Sequence, residues 1–238
     1  MALQAQQIVS LACGIAKAPG YSVLAGQLLN AVLSELCENY DLEPARTQGT
    51  ITLQPAGGGA LGSGPYALPT TYLRMAKGGI FYYVNGEPYN LISIDLSEFD
   101  NLVQQPGISY YPEQFATDNA TQPVSLYVWP PPGSSFVTTI RYYQQMPDIT
   151  TPETSAAIPW FPNQNYLITR LAGEVMKLTN DDRCQTFLGD GPAGAQGILE
   201  RWLKLQNDDD GRAKTVSLDR RKFGRNFDRL PNTKTLGF

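Results

Sequence analysis

This 238-residue chain contains no histidine. That absence excludes the commonest general base, every serine–histidine or cysteine–histidine nucleophile pair, and any zinc centre with an imidazole ligand. Only carboxylate- or lysine-based chemistry is left to look for. Cysteine is scarce. Cys13, Cys37 and Cys184 are scattered, odd in number and without CxxC spacing, so they read as reduced, half-buried small residues of a cytosolic protein. Charged residues make up only 17% of the chain. No apolar run approaches the roughly 18 residues of a membrane span. The opening MALQAQQIVSLACGIAKAPG lacks a basic n-region and a long apolar stretch, so neither a secretory signal nor an anchor is expected. Without a secretory route, the sequon at Asn119-Ala120-Thr121 carries no weight.

What is present begins with 42% hydrophobic content, enough for one large core or two small ones. The 22 glycines and 18 prolines imply long irregular segments without reaching low complexity. Charge is divided unevenly. Residues 212–238 hold 8 of the 18 basic and 2 of the 22 acidic residues, a balance of +6; residues 1–211 keep 10 basic and 20 acidic, a balance of -10. A basic terminal run on an acidic body reads as an interaction tail.

Hydrophobic periodicity divides the rest. Ile8, Leu11, Ala12 and Ile15 predict a helix over 4–17, stopped by Pro19-Gly20. Leu24, Leu28, Ala31, Val32 and Leu36 predict a second over 22–39, with Ser22 as N-cap. From about residue 47 to 147 the runs are short, β-branched and aromatic. Val84-Asn85-Gly86-Glu87 signals a hairpin, and Pro130-Pro131-Pro132-Gly133 reads as the turn of another, joining SLYVWP to SFVTTIRYY. These are expected to be antiparallel strands. Helical period returns over 165–180 and 194–205. The predicted class is α+β: a bundle of two helical hairpins with an inserted antiparallel β-rich domain and an extended C-terminal arm. The expected parts are 1–46, 47–158, 159–208 and 209–238.

Several motifs carry less than they promise. Gly57 to Gly62 satisfies GxGxxG, but strands rather than a helix follow, so a loop is expected instead of a dinucleotide site. Asp95, Glu98 and Asp100 alternate with Ile94, Leu96 and Phe99, which reads as a solvated edge strand or turn. Asn207 to Gly211 lacks the glutamate that would close a calcium loop, and Asp181-Asp182-Arg183 lies between helices. No catalytic, cofactor or metal residues are assigned. The tyrosines and tryptophan at 82, 83, 89, 110, 111, 127, 129, 142 and 143 read as a sandwich core with hydroxyls at its rim, or as a protein-contact face.

The tail admits two specific readings. Arg220, Arg221, Lys222, Arg225 and Arg229 suit phosphate backbone. Alternatively Phe223, Phe227 and Leu230 are apolar anchors, with the arginines meeting acidic groups of a protein partner. Arginines interleaved with phenylalanines favour anchoring.

Five stretches in order resemble a known family: ALPTTYLRM (67–75), LISIDLSEFDNL (91–102), VSLYVWPPPGSSFVTTIRYYQQMPDI (124–149), PWFPNQNYLITRLAGEVM (159–176) and TVSLDRRKFGRNFDRLPNTK (215–234). The chain resembles the head-to-tail adaptor proteins of short-tailed double-stranded DNA bacteriophages, also called tail accessory factors or DNA-stabilisation proteins. The resemblance implies a virion neck protein made in the host cytoplasm. It would form a ring of usually twelve copies beneath the portal protein, continue the DNA channel, and carry tail nozzle, tube or fibre proteins. It implies a C-terminal arm that docks the portal, here Arg212, Lys214, Leu218, Arg220, Arg221, Lys222, Phe223, Arg225, Phe227 and Arg229. Some relatives cleave cell wall. The resulting expectation is a structural protein without catalysis, cofactor or membrane. Two alternatives stand beside it: a cell-wall-cleaving enzyme using carboxylates such as Glu98 and Glu113, or a basic-tailed nucleic-acid-binding protein.

Overall fold

The computed structural model describes residues 2–55, 64–104 and 111–205. Among them are six α-helices and two β-sheets. Contacts divide the chain into two compact units: residues up to Val32 together with those from Ile149 onward, and Leu33–Asp148.

The first unit is helical. Its α1 (Ala5–Ile15) buries Ala5, Ile8, Val9, Ala12 and Cys13 on one face. The first amide groups of a helix have no partner within it. Here the Ala5 N–H donates to Ala157 O at 2.8 Å and the Gln6 N–H to Ser155 O at 3.2 Å. The helix is shorter than the 4–17 expected, because Lys17 adopts φ 55°, which no helix continues. A 3-10 turn at Pro19–Tyr21 leads directly into α2 (Ser22–Asn39), so Ser22 is the first helical residue and not a cap preceding it. The Asn30 side chain makes a reciprocal pair with the Ile149 main chain, at 3.0 and 3.1 Å.

The later helices are α4 (Gln164–Leu178), α5 (Cys184–Leu188) and α6 (residues 195–205). Asn163 caps α4 by accepting the Tyr166 N–H at 3.1 Å, and Asn180, at φ 54°, follows its end. α4 packs against both α1 and α5. Phe161, fully buried just before α4, meets the Tyr166 and Trp202 rings edge-on at 5.4 and 4.8 Å.

The second unit is built on two four-stranded sheets. The first comprises β1 (Arg46–Leu53), β3 (Tyr72–Val84), β4 (Glu87–Asn90) and β8 (Phe136–Gln144), in the order β1-β8-β3-β4 and antiparallel throughout. The second comprises β2 (Tyr66–Ala67), β5 (Ile92–Ser93), β6 (Gln114–Asp118) and β7 (Ser125–Trp129), in the order β2-β7-β6-β5. Both sheets feed one core, with Leu53, Ile80, Tyr82 and Ile140 from the first and Phe115, Leu126 and Val128 from the second. The β3–β4 hairpin turns at Asn85 and Gly86, with φ 51° and 88°, the left-handed pair expected of Asn-Gly.

Three expectations are corrected. The stretch from β7 to β8 is not a hairpin. β7 pairs with β6 and β2, β8 with β1 and β3, so Pro130 to Gly133 carries the chain from one sheet to the other. Consecutive prolines supply no N–H and cannot extend a ladder. Secondly, β5 runs parallel to β6, an exception to the antiparallel expectation. Thirdly, the carboxylate-bearing stretch is a helix, α3 (Leu96–Val103), preceded by Asp95. Leu96, Phe99 and Val103 recur at helical spacing, and the apparent alternation came from Ile94, which lies outside the helix.

Candidate protein-contact site

The aromatic residues singled out from sequence separate into two sets. Tyr82 is fully buried and donates its hydroxyl to Pro112 O at 2.9 Å. Burial, with the Glu113 charge adding to it, pushes its phenol up to about 12. Its ring stacks on Tyr89 at 5.8 Å; Tyr89 stacks on Tyr111 at 6.0 Å, and Tyr111 and Tyr82 both meet Phe136, at 5.7 and 4.8 Å. Tyr142 is buried against Tyr72 at 5.7 Å, and Tyr127 packs under Phe99 of α3 at 5.3 Å. Tyr82 and Tyr142 realise the core reading, with Tyr111 and Tyr127 half-buried beside them.

Others face outward. Along β3, Tyr83 is 60% exposed. The β3–β8 register places it beside Val137, which is 68% exposed, and the β3–β4 register opposite Pro88. Phe81, on the same face, holds the Arg141 guanidinium 4.9 Å above its ring and Tyr83 edge-on at 5.9 Å. Tyr89 remains half-exposed on the four-residue edge β4. An outward row of aromatic and aliphatic side chains beside an arginine has the composition of a protein contact. Trp129 is partly exposed and pairs with Gln114 in the β6–β7 ladder, while Tyr110 lies outside the described residues.

The helical unit has its own apolar exposure: Leu11 and Ile15 on α1, Tyr21 before α2, and Val23 and Leu24 at its start. An open depression of about 560 Å³ adjoins this face, lined by Leu3, Gln6, Gln7, Ser10, Leu11 and Glu153.

Sequence reading gave no role to Arg74, whose guanidinium makes four hydrogen bonds within the second unit. Its Nε donates to Asp41 at 2.8 Å, Nη1 to Cys37 O and Glu38 O at 2.7 and 2.9 Å, and Nη2 to Tyr40 O at 2.6 Å. The Tyr143 ring lies 5.0 Å beneath it. The last carbonyls of a helix lack partners, and this guanidinium supplies them for α2. The available signal was a lone arginine in the otherwise apolar YLRMA that opens β3.

The remaining candidates do not converge on chemistry. Asp95, Glu98 and Asp100 are exposed on and beside α3, and Glu113 is exposed before β6. Among the described residues, no three of cysteine, aspartate and glutamate gather as a metal-ligand set. Asp181 is held down to about 2 by Arg183, which donates from Nε and Nη2 at 3.0 and 2.6 Å. Burial pushes the Cys13 and Cys37 thiols up; both are buried, as a small packing residue requires, whereas Cys184 is half-exposed. The docking-tail residues from Arg212 to Arg229, the acidic run 207–211 and most of the glycine-rich loop, residues 57–63, lie outside the described residues.

No curated protein matches the chain. The family model described as SU10 adaptor protein matches residues 5–221, from α1 into the basic segment.

Proposed function

The chain belongs to the SU10 adaptor protein family, and on that premise we propose that it is a structural protein of a phage virion, joining head to tail. The observation that carries this reading is the family match, which spans both units. The resemblance of the five sequence stretches extends the role to the short-tailed double-stranded DNA phages. In this reading the protein forms a ring, usually of twelve copies, below the portal. Packaged DNA passes through its lumen, and tail nozzle, tube or fibre proteins attach to it. It is made in the host cytoplasm and resides in the neck of the particle.

The basic segment is the portal-docking arm, with Phe223 and Phe227 as anchors and Arg220 and Arg221 meeting acidic groups. Its balance of +6 against -10 for the body supports this, because a composition that buries little by itself orders on a partner. The acidic body suits a DNA conduit, since a basic lumen would retain the genome through its phosphates. The protein works without catalysis; the missing histidine supports this, and the purified protein is expected to leave peptidoglycan intact.

Binding of the full chain and of a chain ending at Gly211 to purified portal tests the reading. The truncated chain should lose docking, and Phe223→Ala alone should cost about 2 kcal/mol or more, as buried anchors do. Undiminished binding after truncation refutes the docking arm. A DNA-binding tail gives another pattern: DNA affinity falling linearly with log salt, lowered by Arg221→Ala and indifferent to Phe223→Ala.

A further inference from the structure

The two outer edges of the first sheet are built differently. The β4 edge is four residues long, begins with Glu87 and contains Pro88. A short strand with a charge and a residue lacking N–H resists the addition of another strand. The β1 edge is eight residues long, has its one charge at its first residue, Arg46, and contains no proline. Thr47 to Leu53 reads TQGTITL, without charge or proline, and pairs one-to-one with β8 over its whole length, without a bulge. Among the described residues no strand lies on its outer side. Alternate N–H and C=O groups of such a strand point away from its single neighbour.

We propose that the β1 edge pairs with the β1 edge of a second copy of this chain, antiparallel, about a two-fold axis at Thr50. Side chains alternate between faces, so only registers that keep core-facing residues opposite core-facing residues are allowed. With Thr50 on the axis, Thr47 faces the partner's Leu53 and Gly49 faces the partner's Ile51 on the core side. On the outer side, Gln48 faces the partner's Thr52 and Thr50 faces the partner's Thr50. All seven residues from Thr47 to Leu53 are then paired. Ile51 is only half-buried at the open edge, and the partner's Gly49, having no side chain, leaves room beside it. An axis at Gly49 would set glycine against glycine and leave Leu53 unpaired. No charges oppose one another in the favoured register, since Arg46 falls beyond the paired stretch.

A two-fold contact closes at two copies and cannot propagate a ring. The inference therefore concerns the free protein and stands or falls independently of the adaptor reading. Sedimentation equilibrium of the full-length chain should show a reversible monomer–dimer system. Thr50 is exposed and accepts a charge. Thr50→Lys sets two ammonium groups opposite each other and should weaken the dimer at least about tenfold, less in high salt. Thr50→Glu should do the same, and an equimolar mixture of the two variants should restore the dimer. Amide exchange over residues 47–53 of the unaltered chain should also slow as its concentration rises. A chain monomeric at all concentrations overturns the proposal, as does a dimer indifferent to Thr50→Lys, a mixture of folded variants that stays monomeric, or exchange over 47–53 that ignores concentration.

Discussion

The two units fill their interiors with different mixtures. The helical unit sets small residues, Ala5, Ala12, Ala16, Ala25, Ala172 and Ala195, with Gly173 on α4, among large ones such as Ile8, Leu29, Phe161 and Leu171. A Cβ added at Gly173 would lie 2.6 Å from Leu188 Cδ2 and 3.2 Å from Phe187 Cβ, so α4 and α5 approach through the missing side chain. The sandwich buries large ones, Tyr82, Phe115, Tyr142, Ile80 and Ile140, spanning the space between two sheets. Stacked sheets stand about 10 Å apart and need volume to fill the gap, while helices can come as close as their side chains allow. The α4–α5 contact is therefore vulnerable to added atoms, and the sandwich to removed ones.

The largest effect should come from emptying the sandwich. Tyr82→Ala removes a fully buried ring and its contacts with Tyr89 and Phe136, and should cost about 3–5 kcal/mol in urea unfolding. Overfilling the helical unit comes next. Gly173→Val should cost about 1–3 kcal/mol, because Leu188 must yield. If both substitutions proved mild, the contrast between the cores would fail.

A smaller change isolates the polar part of the sandwich core. Tyr82→Phe keeps the ring, leaves the Pro112 carbonyl without its donor, and should cost about 1 kcal/mol. It should also alter alkaline unfolding. The phenol is raised to about 12 in the folded chain from about 10 unfolded, so neutral Tyr82 contributes its full stability below about pH 10 and loses it as pH rises through 12. The phenylalanine variant should lack that part of the alkaline slope. The smallest effect has the opposite sign: Gly14 on α1 has nothing near its missing Cβ, so Gly14→Ala should stabilise by about 0.5–1 kcal/mol, measured by thermal unfolding.

Local periodicity made α1, α2 and α4 legible as helices but gave their buried faces only in part: Ile8, Ala12, Val32 and Leu36 are buried, whereas Leu11, Ile15, Leu24 and Ala31 are exposed. The β3–β4 turn was legible because Asn-Gly is among the few dipeptides that readily take left-handed backbone at both positions. Strand pairing was not. SLYVW and FVTTIRYY are each good strands, but which sheet a strand joins depends on partners far along the chain, and the proline run fits a turn as well as a crossover. LSEFDNLV was misread because eight residues can satisfy both periods when the window starts one residue early. At the contact site, the aromatic cluster was visible in composition, but its division into buried Tyr82 and exposed Tyr83 follows from the pleat of β3, which sequence fixes only once the core side is known. Arg74 was hard to see because three of its four acceptors are main-chain carbonyls, which every sequence has.

That last property has an evolutionary corollary. Three of the acceptors around Arg74, at Cys37, Glu38 and Tyr40, are backbone oxygens, and these remain whatever side chains those positions carry. The constraint is one-sided. A saturation scan should find Arg74 intolerant even of lysine, whose ammonium cannot span the same fork of acceptors. Glu38, exposed in its side chain, should accept most replacements that keep the helix. Covariation, which detects contacts by paired change, would find nothing between positions 74 and 38, although their atoms lie 2.9 Å apart.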